Sequence, residues 1–208
     1  MQRRTALASI GAMAALSAAA ARPAFAAPAP APKNKAMTQK KTLVAYYSRK
    51  GQNYVAGSIL ELPVGNTAQL AQSIARRTRA DLYEIRTQKT YPVDYRETTR
   101  VAQEELEAEA RPALSGALPD IALYDEIYLG YPIWWGRAPR AVLTFAEALA
   151  WQGKTVHLFC THEGSGISGS VPELRAKLAG ATVEAELALA GNRIATREAA
   201  LDRYFGQK

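Results

Sequence analysis

The chain has 208 residues, 48% of them hydrophobic, which suits one domain with a real core and an appended segment rather than two domains. Its 26 Lys and Arg against 19 Asp and Glu give a formal charge of +7, yet residues 1–26 hold Arg3, Arg4 and Arg22 and no acid, leaving a milder 23 against 19, or +4. Without a Lys/Arg run in the folded part, nucleic acid is not expected as a partner. A single Cys160 excludes an intrachain disulfide, and two imidazoles, His157 and His162, argue against a His-based metal site.

Residues 1–26 open with Arg3 and Arg4, run uncharged from Thr5 to Ala21 and end in Ala24-Phe25-Ala26, an A-x-A cleavage pattern. This reads as an export signal, so a periplasmic or otherwise exported location is expected. The competing reading, a membrane anchor, needs roughly 20 apolar residues. This Ala-rich stretch offers only Leu7, Ile10, Met13 and Leu16 as large side chains, so no stable anchor is expected after signal removal. Residues 27–41 are Pro/Ala-rich and then Lys-rich, with nothing to bury, and form an extended linker. The domain is expected over 42–208.

The apolar run 43–47 is a strand buried on both faces. Ser48-Arg49-Lys50-Gly51-Gln52-Asn53 make a polar turn, a loop continues to Gly65, and Asn66, a good N-cap, starts a helix with Leu70, Ala71, Ile74 and Ala75 at helical spacing. A strand, a Ser/Gly turn and a helix N-terminus aim unpaired amides and the positive helix end at one spot, where one phosphate fits; the same pattern also suits a plain turn. A mixed-polarity strand over 80–87 precedes a Glu-rich helix over about 95–110, whose charges form a solvated face. The strand 126–130 then runs into Pro132-Ile133-Trp134-Trp135-Gly136-Arg137. Its tryptophans are either core anchors or one wall of a flat aromatic pocket. Pro139 opens a helix carrying Val142, Leu143, Phe145, Ala146 and Leu149. The apolar strand 155–160 ends in the loop Thr161-His162-Glu163-Gly164-Ser165-Gly166, Ser170 and Glu173 offer a capping box for a helix to Leu178, and an alternating strand, 182–190, precedes a short helix over about 196–205.

Five strands alternating with helices argue an α/β three-layer sandwich with a parallel sheet. The first, third and fourth strands are continuously apolar and therefore central; the second and fifth carry charges and suit edges. That matches the order 2-1-3-4-5, whose ligand site lies between the first and third strands at their carboxyl ends. Cys160 ends an apolar strand and lacks a second cysteine, which favours a structural thiol over a reactive one. His157 is expected to be structural, and His162 either faces the ligand or faces solvent.

The segments YYSRKGQNY, GNT, GYPIWWGRAP and FCTHEGSG resemble the flavodoxin family, in a subgroup with a split phosphate-binding loop, over nearly all of the chain from Leu43. The resemblance implies a flavodoxin-like fold of short-chain type and FMN as cofactor. By position, Ser48, Lys50, Gly51, Asn53, Asn66 and Thr67 would hold the phosphate and its attached chain. Pro132, Ile133, Trp134, Trp135 and Gly136 would meet the ring from one side, and Thr161, His162, Glu163, Gly164 and Gly166 from the other. Lys50 stands where the family pattern has a second hydroxyl residue, and about 14 residues separate Gly51 from Asn66. Arg3-Arg4 resembles a twin-arginine signal, which implies folding around a cofactor before export. The implied function is electron transfer to a redox partner protein or a small flat acceptor. Two alternatives remain: an FMN-dependent quinone or nitro reductase using NAD(P)H, and a flavin-free binding module. Arg137 and a basic surface depart from the acidic surround of flavodoxins; Arg137 is expected to raise the flavin potential, and the surface to disfavour the partners that acidic flavodoxins attract.

Overall fold

Strand β1 (Thr42–Tyr46) is buried along its whole length. It leads into a hairpin, β2 (Gly51–Val55) and β3 (Ser58–Leu62), and then into α1 (Asn66–Thr78). After these come β4 (Asp81–Glu84), α2 (Tyr95–Glu107), β5 (Glu126–Pro132), α3 (Arg140–Glu147), β6 (Thr155–His162), α4 (Ser170–Lys177), β7 (Thr182–Ala190) and α5 (Arg197–Gly206). This computed structural model describes residues 41–206; the expected export signal and all of the expected linker except Lys41 lie outside the described residues.

The main sheet is parallel and ordered β4-β1-β5-β6-β7, the order expected from strand polarity. The apolar strands sit in the middle because both of their faces are covered. Leu43 and Ala45 face the layer of α3 and α4, with Leu129, Leu143 and Leu174, while Val44 and Tyr46 face α1 and α5, with Leu70, Ile74 and Leu201. This period-two division follows from the pleat. At the edges, β4 is largely exposed, and β7 buries only alternate residues such as Leu187 and Leu189.

Several local expectations are corrected. The segment between Gly51 and Gly65 is a hairpin, not a loop. Its turn residues, Ala56 and Gly57, both have positive φ, 51° and 90°, the type I′ pattern that matches strand twist. Asn66 is the first helical residue and does not cap α1; Gly65 holds the N-cap position. The side-chain cap comes from another segment, because Ser48 Oγ accepts from the Ala68 amide at 3.1 Å. Nor does the Ser170–Glu173 capping box form, since Gly169 is the N-cap of α4. The Ser170 hydroxyl instead meets Tyr131 Oη at 3.0 Å in the core, and Glu173 pairs with Arg140 at 2.6 Å. Burying the Tyr131 phenol demands such a partner. The second strand is also shorter than 80–87, because Thr87 leaves the sheet for a lone bridge with Leu114.

Gly130, in the middle of β5, leaves no room for a side chain: a Cβ there would collide with the ring of Phe159, which is 1% exposed. Gly130→Ala is therefore expected to lower unfolding free energy by about 1–3 kcal/mol. Denaturant midpoints check this, with Phe159→Leu in the same chain restoring part of the loss.

Candidate functional site

The parallel register brings the carboxyl ends of three strands together: Tyr46 lies beside Gly130, and Pro132 beside Thr161. Chain direction across the sheet reverses between β1 and β5, the place where open α/β sheets bind ligands. Three loops meet there: the Ser48 turn, residues 132–137, and residues 161–166.

A small cleft of about 120 Å³ lies beside the start of α1, lined by Ser48, Asn53, Asn66, Thr67, Pro132, Thr161, His162 and Glu163, with Tyr54 and Gly191. Thr67 Oγ1 and Thr161 Oγ1, both buried, are 2.7 Å apart and tie the helix start to the end of β6. Gly65 makes the approach possible, since a Cβ there would collide with Arg49 O and Ser48 Oγ. With Ala68 served by Ser48, the Asn66 and Thr67 amides have no protein acceptor among the described residues. Such amides at a helix start suit an anion.

A larger cleft of about 390 Å³ adjoins it, sharing Arg49, Asn53, Tyr95, Ile133 and Trp134, and is closed by Trp135 and by Thr98, Thr99 and Ala102 of α2. The two tryptophans have different surroundings. Trp134 is half-buried, edge-on to Tyr47 at 5.5 Å and to Tyr91 at 5.1 Å. Trp135 is 54% exposed and its indole N–H donates to Thr99 O at 2.9 Å. Paired backbone bonds between Trp134 and Arg137, each 2.9 Å, close a tight turn with positive φ at Trp135 (50°) and Gly136 (74°). A tryptophan held in left-handed backbone is strained, a feature that clusters at ligand sites.

Arg49, which the sequence reading passed over, reaches both clefts. Its guanidinium donates to Pro92 O at 2.6 Å and Val93 O at 2.5 Å, and also to Gln52 O; its acceptors are all carbonyls. Desolvation lowers its pKa. Tyr54, Tyr95, Thr98, Thr99 and Gly191 were also missed; only Arg49 and Tyr54 fall within the motifs that pointed to the site.

Some expected site residues lie outside both clefts. Lys50 is exposed and, like Gly51, lines neither. Gly136, Gly164 and Gly166 shape their loops through positive φ but do not line a cleft. Arg137 donates to Gly169 O at 2.6 Å and faces a separate groove with Arg111, Arg140 and Lys177. The cation at the clefts is therefore Arg49, not Arg137. Residues 41–206 hold 19 Lys and Arg and 19 Asp and Glu, so the expected basic surface of the folded part is corrected to one without net formal charge.

His162 lines the small cleft, but its Nδ1 accepts from the Gly164 amide at 3.0 Å and burial lowers its pKa. His157 is buried away from both clefts, 2.6 Å from Glu126 Oε1 and stacked on Tyr128. Together the clefts offer an anion seat of helix amides joined to a flat aromatic slot with one cation at the joint.

Residues 41–204 match a family model described as Flavodoxin. A candidate flavoprotein from Bacteroides uniformis is 32% identical, with a TM-score of 0.62 over 78% of this chain and 98% of its own. One from Bacteroides eggerthii is 30% identical, with a TM-score of 0.61 over 79% and 97%. A flavoprotein from Lactobacillus acidophilus in complex with FMN shares the fold at 20% identity, with a TM-score of 0.57 over 79% and 98%. No curated protein matches the chain.

Cys160 is fully buried and its thiol is pushed up to about 12 by burial, so it stays protonated and structural at neutral pH. Ellman's reagent is expected to leave it untouched in the native protein at pH 8 and to titrate one thiol in denaturant; rapid native reaction would contradict the buried placement.

Proposed function

This chain belongs to the flavodoxin family, and on that premise we propose that it is an exported electron-transfer protein holding FMN across the two joined clefts. The observation that carries the reading is their pairing: an anion seat at the start of α1, continuous with an aromatic slot under Trp135. The residues fit the group. Asn66 and Thr67 present amides, Ser48 a hydroxyl, and Gly65 the close approach that leaves no space for a side chain. FMN is also the ligand in the Lactobacillus acidophilus flavoprotein complex. The hairpin between Gly51 and Leu62 supports the split phosphate-loop subgroup.

When bound, FMN supplies the redox chemistry of its ring. The chain supplies binding and electrostatics. Ser48 and the helix amides orient the phosphate end, Ile133 and Trp135 exclude water from the slot, and desolvated Arg49 favours negative charge beside it. Exposed Trp135 and Val93, the latter contributing its carbonyl to Arg49, leave an apolar rim for a redox partner or a small flat acceptor. Export rests on the Arg3-Arg4 and Ala24-Phe25-Ala26 patterns, the first of which resembles a twin-arginine signal. The exposed slot equally admits a quinone or nitroaromatic, so a reductase using NAD(P)H is the second reading.

Purified protein given FMN and stripped of excess is expected to retain close to one equivalent, read by visible absorption. Trp135→Ala removes an exposed wall and is expected to weaken FMN about tenfold, or about 1.4 kcal/mol. Retention of no flavin by the wild type would defeat both redox readings. Fast NADH oxidation with a quinone would favour the reductase over the carrier.

A further inference from the structure

Among the described residues the hairpin pairs with no other strand, and its first strand borders the small cleft, where Asn53 and Tyr54 form part of the lining. It is held down at its base, middle and tip. At its base Arg49 binds Gln52 O and the Pro92 and Val93 carbonyls, while Gln52 Oε1 accepts from the Tyr95 amide at 3.0 Å. Midway, Tyr54 stacks on Tyr95 with centroids 6.1 Å apart. At its tip the Ala56 amide donates to Glu163 Oε2 at 3.0 Å, joining the first turn to the loop after β6.

The second Glu163 oxygen lies against Gly191: a Cβ on that glycine would collide with Glu163 Oε1 and stand 2.6 Å from Asn66 Nδ2. The carboxylate is thus wedged between the hairpin tip and the first residue of α1, on the wall that also carries Ser48, Asn66 and Thr67. Neither oxygen accepts from the Asn66 or Thr67 amide among the described residues, so the seat at the helix start stays open to a phosphate. Two anions so placed repel each other, so both are not accommodated together without cost.

We infer that Glu163 tempers the site's hold on a phosphate-bearing flavin: its carboxylate lies on the cleft wall near Asn66, latches the hairpin tip through the Ala56 amide, and repels an entering phosphate until it moves aside. The inference rests on the FMN reading above and deepens it, assigning Glu163 a role against the ligand's phosphate rather than beside its ring. It also gives the hairpin a purpose. A short turn would leave that side of the seat unwalled, whereas the inserted strands bring Asn53 and Tyr54 to it.

The test compares FMN with riboflavin, which has the same ring and no phosphate, on wild type, Glu163→Gln and Glu163→Ala. Gln keeps an acceptor for the Ala56 amide and removes the charge; Ala removes both. Glu163 is exposed, so both variants are expected to fold as the wild type does. Glu163→Gln is expected to bind FMN about threefold to tenfold more tightly, the range left after solvent screening, with riboflavin affinity unchanged. Glu163→Ala is expected, in addition, to associate with FMN faster than Glu163→Gln, because the hairpin tip is released. FMN held equally by all three proteins, or FMN and riboflavin affinities shifting together, would overturn the role of Glu163 while leaving the FMN site standing. No flavin held by any of them would overturn both.

Discussion

Two buried hydroxyls, Thr67 Oγ1 and Thr161 Oγ1, face each other at 2.7 Å where α1 begins and β6 ends. Each is nearly inaccessible, so each needs the other to avoid an unpaired polar group in the core. Their bond fixes the helix start against the carboxyl edge of the sheet. It succeeds only because Gly65 lets the backbone pass Ser48 and Arg49 without a Cβ in the way. The same packing lets Ser48 cap Ala68 from a distance, which leaves the Asn66 and Thr67 amides for an external anion.

The aromatic wall depends on a different compromise. Two adjacent tryptophans line the larger cleft, and each is held by a different set of contacts. Trp134 is packed in T-shaped contacts with Tyr47 and Tyr91 and lines both clefts, while Trp135 takes up left-handed backbone, its indole reaching Thr99 O and its side chain remaining exposed. The strain at Trp135 is offset by a closed turn with two backbone bonds.

Charge at the site is equally a matter of direction rather than composition. Arg137 follows the tryptophans in sequence yet turns to Gly169 in a separate groove, whereas Arg49, one residue after Ser48, sits where the two clefts meet. Its carbonyl acceptors hold the guanidinium without neutralising it. A cation so held stays available to an anionic ligand in a way that an ion pair would not.

The local sequence determined the strands, the helices, the sheet order and the loops that meet at the site, because hydrophobic periodicity and strand polarity are written residue by residue. Within those loops, the resemblance to the flavodoxin family picked out Ser48, Asn53, Asn66, Thr67, Pro132, Ile133, Trp134, Trp135, Thr161, His162 and Glu163, and the structure brings them to the clefts. What it left undecided depends on contacts far apart in the chain. The hairpin was hidden because its turn is Ala56-Gly57 and not the Asn-Gly or Asp-Gly that marks a type I′ turn. The cap of α1 could not be read from Asn66, since the hydroxyl that serves it, that of Ser48, lies 20 residues before the Ala68 amide it caps. Arg49, Arg137 and Glu163 carry charges whose sign is plain in the sequence, but a long side chain has several rotatable bonds and reaches whichever partner packing leaves open. Only the tertiary structure decided that Arg49 lines the clefts, that Arg137 leaves them, and that Glu163 reaches the hairpin tip across 107 residues of chain.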